Sequence, residues 1–462
     1  MRCIDNHAAM PARAWQLYDW NPAMPRNISL LLTMLVMIAG CTQQPAPHTN
    51  AATPALSNRE SQALCLASTG GNSTVELALA HVQSAVRQQP QRPDLWIAVG
   101  RGWVRQARLT TDPGFYVNVD ACASEALLVN PGFVPALELR SLVLMNNHQF
   151  EAARSLAEQI LARAPESVIA NGTHSDALLE LGRYPEAARA AQAQMNAHPG
   201  MAASARAAHL NWLKGDVRSA ELFIRDALME RNAADPEAAA WAFVEAGMIY
   251  WQKGDYAGAD ALFAEALNWL PDYPAALVGR GRVALARGDA DTAIATLKVS
   301  LAKRPLVETA WLLGDAYALA GDNAQAKRAY GDAERQGRRG DKFTLALFFA
   351  SKNRNVDEAV RLLDEERKSR GGIYVDDAYA WALYRAGRMG EAQRMSAQAL
   401  RLGTRDARLL FHAGAIELAN GERAHGRVLI EQALQLNPGF DLDGAAEARR
   451  LLAPVPASVA RN

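Results

Sequence analysis

The chain has 462 residues, half of them apolar, with 49 basic and 49 acidic side chains. That length holds two or three ordinary domains or one long repeat array. The charge balance excludes the broad field by which a protein attracts nucleic acid or anionic lipid. Alanine is abundant and β-branched alternation is scarce, which selects close-packed helices over sheets.

Residues 1–23 carry Trp15, Trp20 and two acids, a poor opening for an export signal. They are expected to be an unstructured extension or to precede a true start at Met24. From Met24 the order is a basic residue, Arg26, a short apolar run from Ile28 to Ala39, and then Ile38-Ala39-Gly40-Cys41. The run is too short for a bilayer span, which takes roughly 20 apolar residues. It has the layout of a secretory signal. Residues 24–40 resemble the signal peptide of bacterial lipoproteins, with IAGC as the lipobox. The resemblance implies cleavage before Cys41, lipid on its thiol, and an anchor of several acyl chains, as stable anchoring requires. Thr42, where an Asp would favour inner-membrane retention, implies transfer to the outer membrane and a periplasm-facing protein.

Residues 41–59 are polar, rich in Pro, Ala, Thr and Asn, and have no apolar period. They are expected to form a disordered tether, averaging roughly 23 Å end to end. Capping helices are expected over 60–92. Cys65 and Cys122 have no CxxC spacing. They are either a disulfide, closing a loop worth about 4 kcal/mol of chain entropy, or two buried thiols at packing positions.

From about Pro93 to Phe440 the chain repeats itself. Segments such as LELGRYPEAARAA at Leu179, WQKGDYAGADALF at Trp251 and YRAGRMGEAQRMS at Tyr384 share one plan: an apolar helix end, a Gly, then an Ala in a second amphipathic helix. The Gly suits the positive φ just past a helix end, and an Asp after it can cap the next helix. Small residues recur at Ala153, Ala187, Ala220, Ala259, Ala293, Ala326, Ala359, Ala392 and Gly426, in steps of 34, 33, 39, 34, 33, 33, 33 and 34. His148 replaces one turn glycine and Asn355 another. A longer loop near Asn232–Pro236 is read as the source of the 39-residue step.

This pattern resembles the tetratricopeptide repeat, best matched by Phe243, Gly247, Tyr250, Ala259, Phe263, Ala266 and Pro271. The implied fold is all-α, a right-handed α-solenoid of nine to ten helix-turn-helix units over 93–440. A closing helix and tail follow in 441–462. Each unit leaves an apolar face bare, so stability comes from stacking neighbours.

No chemistry stands out. SLAK at Ser300 lacks its SDN and KTG companions, and GRGRVA at Gly279 follows no strand. The nine histidines form no metal spacing. The chain is read as a non-enzyme without cofactor or metal. In the tetratricopeptide family, ligands lie against fixed first-helix positions. In this chain those positions, with Arg385 beside them, place His209, Trp212, Trp241, Met248, Trp251, Arg282, Trp311, Asp315, Phe348, Tyr374, Asp377, Trp381, Tyr384 and Arg385 on the concave face. Aromatics with a few charges are what binding anchors are made of, although large side chains at helix contacts are usually core. The expected function is a scaffold for protein partners, with no nucleic acid. The alternative is a glycan- or lipid-binding lipoprotein of polysaccharide export or envelope assembly.

Overall fold

The computed structural model describes residues 58–454. Within them lie 23 α-helices, one 3-10 turn and no strand. The extension 1–23, the signal 24–40, Cys41, the tether up to residue 57 and the tail from 455 lie outside the described residues.

Two helices lead, α1 (Asn58–Cys65) and α2 (Thr74–Gln88). Then come α3 (Pro93–Thr110) with α4 (Tyr116–Val129), α5 (Val134–Asn146) with α6 (Phe150–Leu161), and α7 (Val168–Glu180) with α8 (Tyr184–Ala197). The middle holds α9 (Met201–Leu213) with α10 (Val217–Met229), α11 (Pro236–Gln252) with α12 (Tyr256–Trp269), and α13 (Pro274–Ala286) with α14 (Ala290–Lys303). The last pairs are α15 (Val307–Leu319) with α16 (Asn323–Arg339), α17 (Lys342–Ser351) with α18 (Val356–Glu366), α19 (Ile373–Arg385) with α20 (Met389–Ala399), and α21 (Ala407–Ala419) with α22 (Arg423–Leu436). A final helix, α23 (Leu442–Leu452), closes the described residues. The fold is thus an all-α solenoid of ten helix pairs.

Local chemistry makes each turn. Gly182, Gly215, Gly254, Gly288, Gly321, Gly387 and Gly421 all have positive φ. His148 takes the same left-handed backbone at φ 58°, and Asn355 does so at 44° together with Asn353 at 50°. Asp216, Asp255, Asp289 and Asp322 each accept an amide hydrogen bond from the first turn of the following helix, satisfying a donor that would otherwise lack a partner. The small residues let paired helices interlock: a Cβ on Gly247 would lie 2.7 Å from Cδ1 of Phe263 on α12.

Two irregularities differ in form from expectation. The 39-residue step is mostly helix rather than loop, because α11 has 17 residues where α9 and α13 have 13. Pro236 opens the added turn and Asp235 caps it, a favourable pairing for a helix start. Between α3 and α4 the extra residues form a 3-10 turn, Pro113–Phe115, capped by Asp112.

At the N-terminus, a disulfide joins Cys65 at the end of α1 to Cys122 on α4. Trp103 on α3 donates its indole N–H to the Cys65 carbonyl at 2.8 Å, and Ser61 donates to the Ala121 carbonyl.

The solenoid meets itself after about one winding. The Ile373 amide donates to the Tyr184 hydroxyl at 2.8 Å, and the Gly371 amide to the Glu180 carbonyl at 2.8 Å. Thr404 donates to the Leu213 carbonyl, and Asn437 to the Trp251 carbonyl at 2.8 Å. The sequence separations of the three side-chain bonds are 189, 191 and 186 residues. Three turn glycines lie on this seam. A Cβ on Gly182 would be 2.9 Å from the Gly372 nitrogen, and one on Gly254 would be 2.7 Å from the Leu436 carbonyl. The later turn glycines Gly288, Gly321, Gly387 and Gly421 have open space instead.

Helix α23 packs back on the first helices rather than only covering the end. Asp443 pairs with Lys352 at the end of α17, and Glu447 with Arg385 at the end of α19.

Candidate functional site

The winding encloses a cavity of about 580 Å³. Its wall comes mainly from first helices, because the glycine turns and stacked small residues hold those helices on the inner side. Eight of the fourteen expected groove residues line it: His209, Trp212, Met248, Trp251, Arg282, Trp311, Asp315 and Tyr374. They come from α9, α11, α13, α15 and α19, so chain segments up to 165 residues apart converge on one space.

The electrostatics are mixed. Arg282 pairs with Glu308 and lies 5.3 Å over the Trp251 ring. Burial pushes the half-buried His209 below the usual histidine range, against the pull of Glu180 and Asp176. Asp315 is almost completely enclosed and bonds to Lys352 and to the Tyr330 hydroxyl. Burial disfavours the Lys352 ammonium, but Asp315, Asp443 and Tyr330 outweigh it and raise its pKa above the usual lysine value. The indole nitrogens of Trp251 and Trp311 are buried with no acceptor among the described residues, an arrangement that carries a desolvation penalty.

The other six expected residues lie elsewhere. Trp241 is half-buried against the core cluster that contains Ile224, Ile373 and Leu409. Phe348 is wholly buried, with its ring 5.6 Å from that of Trp311. Leu347 lines the cavity in its place, because the short helix α17 sits one residue out of register. Trp381, only 1% exposed, is the centre of a stack. His412 lies 4.0 Å from its ring, Tyr384 4.9 Å, and the Arg385 guanidinium 4.2 Å. Asp377 is bound to His412 Nδ1 at 3.0 Å. All six were expected on an open groove; none lines the cavity, and Phe348, Asp377 and Trp381 are buried between repeats, whereas Trp241, Tyr384 and Arg385 are half-buried. The Asp377–His412 pair resembles a catalytic dyad only in composition. It is 3–4% exposed and lies away from the cavity.

Several wall residues were missed. Arg408 and Glu308 occupy the same first-helix register as Trp241 and Tyr374, so the repeat spacing itself carries the signal for them. Glu245 lies off that register. Phe440, Asp441 and Arg449 arrive with the returning C-terminal segment, for which the repeat pattern holds no signal.

Among the described residues, no helix is long and apolar enough to cross a membrane. Two tetratricopeptide-repeat models match the chain, one over residues 139–202 and one over 250–306. No curated protein matches it in sequence. Among solved structures, human IFIT1, as a dimer with PPP-AAAA, is 15% identical with a TM-score of 0.46, over 83% of this chain and 95% of that one. Yeast Tom70 is 14% identical with a TM-score of 0.34, over 81% and 95%. PilW, described as a widely conserved type IV pilus biogenesis factor, is 16% identical with a TM-score of 0.36, over 46% and 96%. The chain therefore carries tetratricopeptide repeats within a solenoid of ten helix pairs wound around a lined cavity.

Proposed function

We propose that the chain is a non-catalytic scaffold that holds a segment of a protein partner in the lumen of its solenoid. The observation that carries this is the convergence of Trp212, Met248, Trp251 and Trp311 on one cavity, beside arginines and carboxylates. Large aromatic anchors among a few charges favour a peptide segment. The volume suits a few residues of extended chain, since an α-helix with side chains is about 10–12 Å across.

We propose further that lipid on Cys41 anchors it to the outer membrane, facing the periplasm. The order basic residue, apolar run, IAGC, Thr42 supports this. The Cys65–Cys122 disulfide agrees with it, since such bonds persist in oxidising compartments.

The test is a pull-down from envelope extracts with Met248→Arg and with Val428→Arg, the latter on the exposed side of α22. Met248→Arg should lose the partner that wild type and Val428→Arg retain. Equal capture by all three contradicts the reading. Retention of an envelope glycan instead would favour the alternative, a glycan-binding protein using the same indoles. Metabolic fatty-acid labelling tests the anchor separately. No label on wild type, or label surviving Cys41→Ala, would refute it.

A further inference from the structure

Two ionisable side chains that line the lumen, Glu245 and Arg408, have no direct side-chain partner among the described residues. Glu245 on α11 has no hydrogen bond or ion pair among the described residues. Burial alone pushes its carboxyl up to about 7, so no cation lies close enough to oppose the shift. Arg408, in the first turn of α21, makes no side-chain hydrogen bond or ion pair among the described residues. Its Nε is buried without an acceptor. Burial works against its charge, but Asp406, Asp377, Tyr374 and Asp441 together outweigh it and raise its pKa above the usual arginine value, without any of them making a direct ion pair to the guanidinium. Asp406 is already engaged by the Arg408 and Leu409 amides and by Gln252. Asp441 is engaged by the Gly444 amide.

The other charged side chains of the wall have partners within the chain. Arg282 has Glu308, Asp315 has Lys352, Arg370 has Glu180, and Arg449 donates to the Pro438 carbonyl. Five carboxyls face four guanidiniums across the cavity, so neither a polyanion nor a polycation finds a field there. Both side chains are half-buried, and a charge-assisted hydrogen bond is about twice as strong as a neutral one. A sugar could hydrogen-bond to both groups but would compensate neither. A molecule carrying both an ammonium and a carboxylate offers each of them a direct charged partner.

We infer that the lumen binds a small zwitterion of dipeptide size, its ammonium at Glu245, its carboxylate at Arg408 and its apolar part among Trp212, Trp251 and Trp311. The cavity of about 580 Å³ falls within the range of small-molecule sites, roughly 300–1,000 Å³. This goes beyond the scaffold reading and stands even if no protein partner is captured.

The test is calorimetric titration of the folded protein with a panel of free dipeptides bearing aliphatic or aromatic side chains. The same dipeptides are run N-acetylated and C-amidated, with a neutral disaccharide alongside. The expected result is saturable binding of at least one free dipeptide, weakened tenfold or more by capping either end. Glu245→Gln should lose discrimination against the acetylated form, and Arg408→Gln against the amidated form. If a variant fails to fold, the capping comparison on wild type decides. Absence of dipeptide binding at millimolar concentration overturns the inference. So does equal binding of capped forms, or binding of the disaccharide instead.

Discussion

The Tyr184 hydroxyl and the Ile373 amide are joined at 2.8 Å across 189 residues of chain. The bond is buried, and it ties the start of α8 to the start of α19, where one winding meets the next. Tyr184→Phe keeps the ring and removes the acceptor, leaving a buried N–H unpaired. The expected loss is about 1–3 kcal/mol in urea unfolding, with faster amide exchange at residues 371–374. An unchanged exchange pattern would show that the seam does not depend on this bond.

The turn glycines separate close approach from conformation. Gly215 and Gly321 have the same φ, 78°, but a Cβ on Gly215 would run into the Gly403 carbonyl, whereas Gly321 has open space. Gly321→Ala should cost about 1–2 kcal/mol for left-handed backbone alone. Gly215→Ala should cost clearly more and should loosen the Leu213–Thr404 contact. Equal losses in thermal unfolding would contradict a seam role for Gly215.

The latch on α23 predicts non-additivity. Lys352 bonds to both Asp315 and Asp443. Lys352→Met leaves the buried Asp315 without its cation and should destabilise by about 3–5 kcal/mol. The double variant Asp315→Leu/Lys352→Met should be less damaged than the single, since no charge is then stranded. A double variant as unstable as the sum of both singles would refute the coupling.

Stability should depend on pH through Glu245. Its folded pKa of about 7 exceeds the ordinary 4.5, so the folded state holds the proton more tightly. The contribution is full below about pH 4.5 and is lost as pH rises through 7. Relative to wild type, Glu245→Gln should therefore gain stability from pH 6 to pH 8, on the order of 1–3 kcal/mol. Parallel stability curves for the two proteins would contradict this environment for the carboxyl.

Much of this architecture can be read from the residues, and the reasons for its limits are physical. The repeat ruler works because each Gly turn and small packing residue acts within its own unit. Register fails at α17, where no glycine sits in the turn and two left-handed asparagines replace it. Trp381 and Phe348 were placed on the groove because position alone does not distinguish a wall residue from one covered by the next repeat. The enclosure of the cavity depends on contacts 186–191 residues apart and on α23 folding back, neither of which has a local signature. Glu245 was missed because it lies off the first-helix register that marks the wall.

The central claim, that the lumen is where a partner is held, is tested most directly by a photo-cross-linking amino acid placed at Met248 and, as a control, at Val428 in intact cells. The account predicts a discrete cross-linked partner from position 248 that is absent from position 428. The same adduct from both positions, or none from position 248 while the protein is folded and anchored, would contradict it.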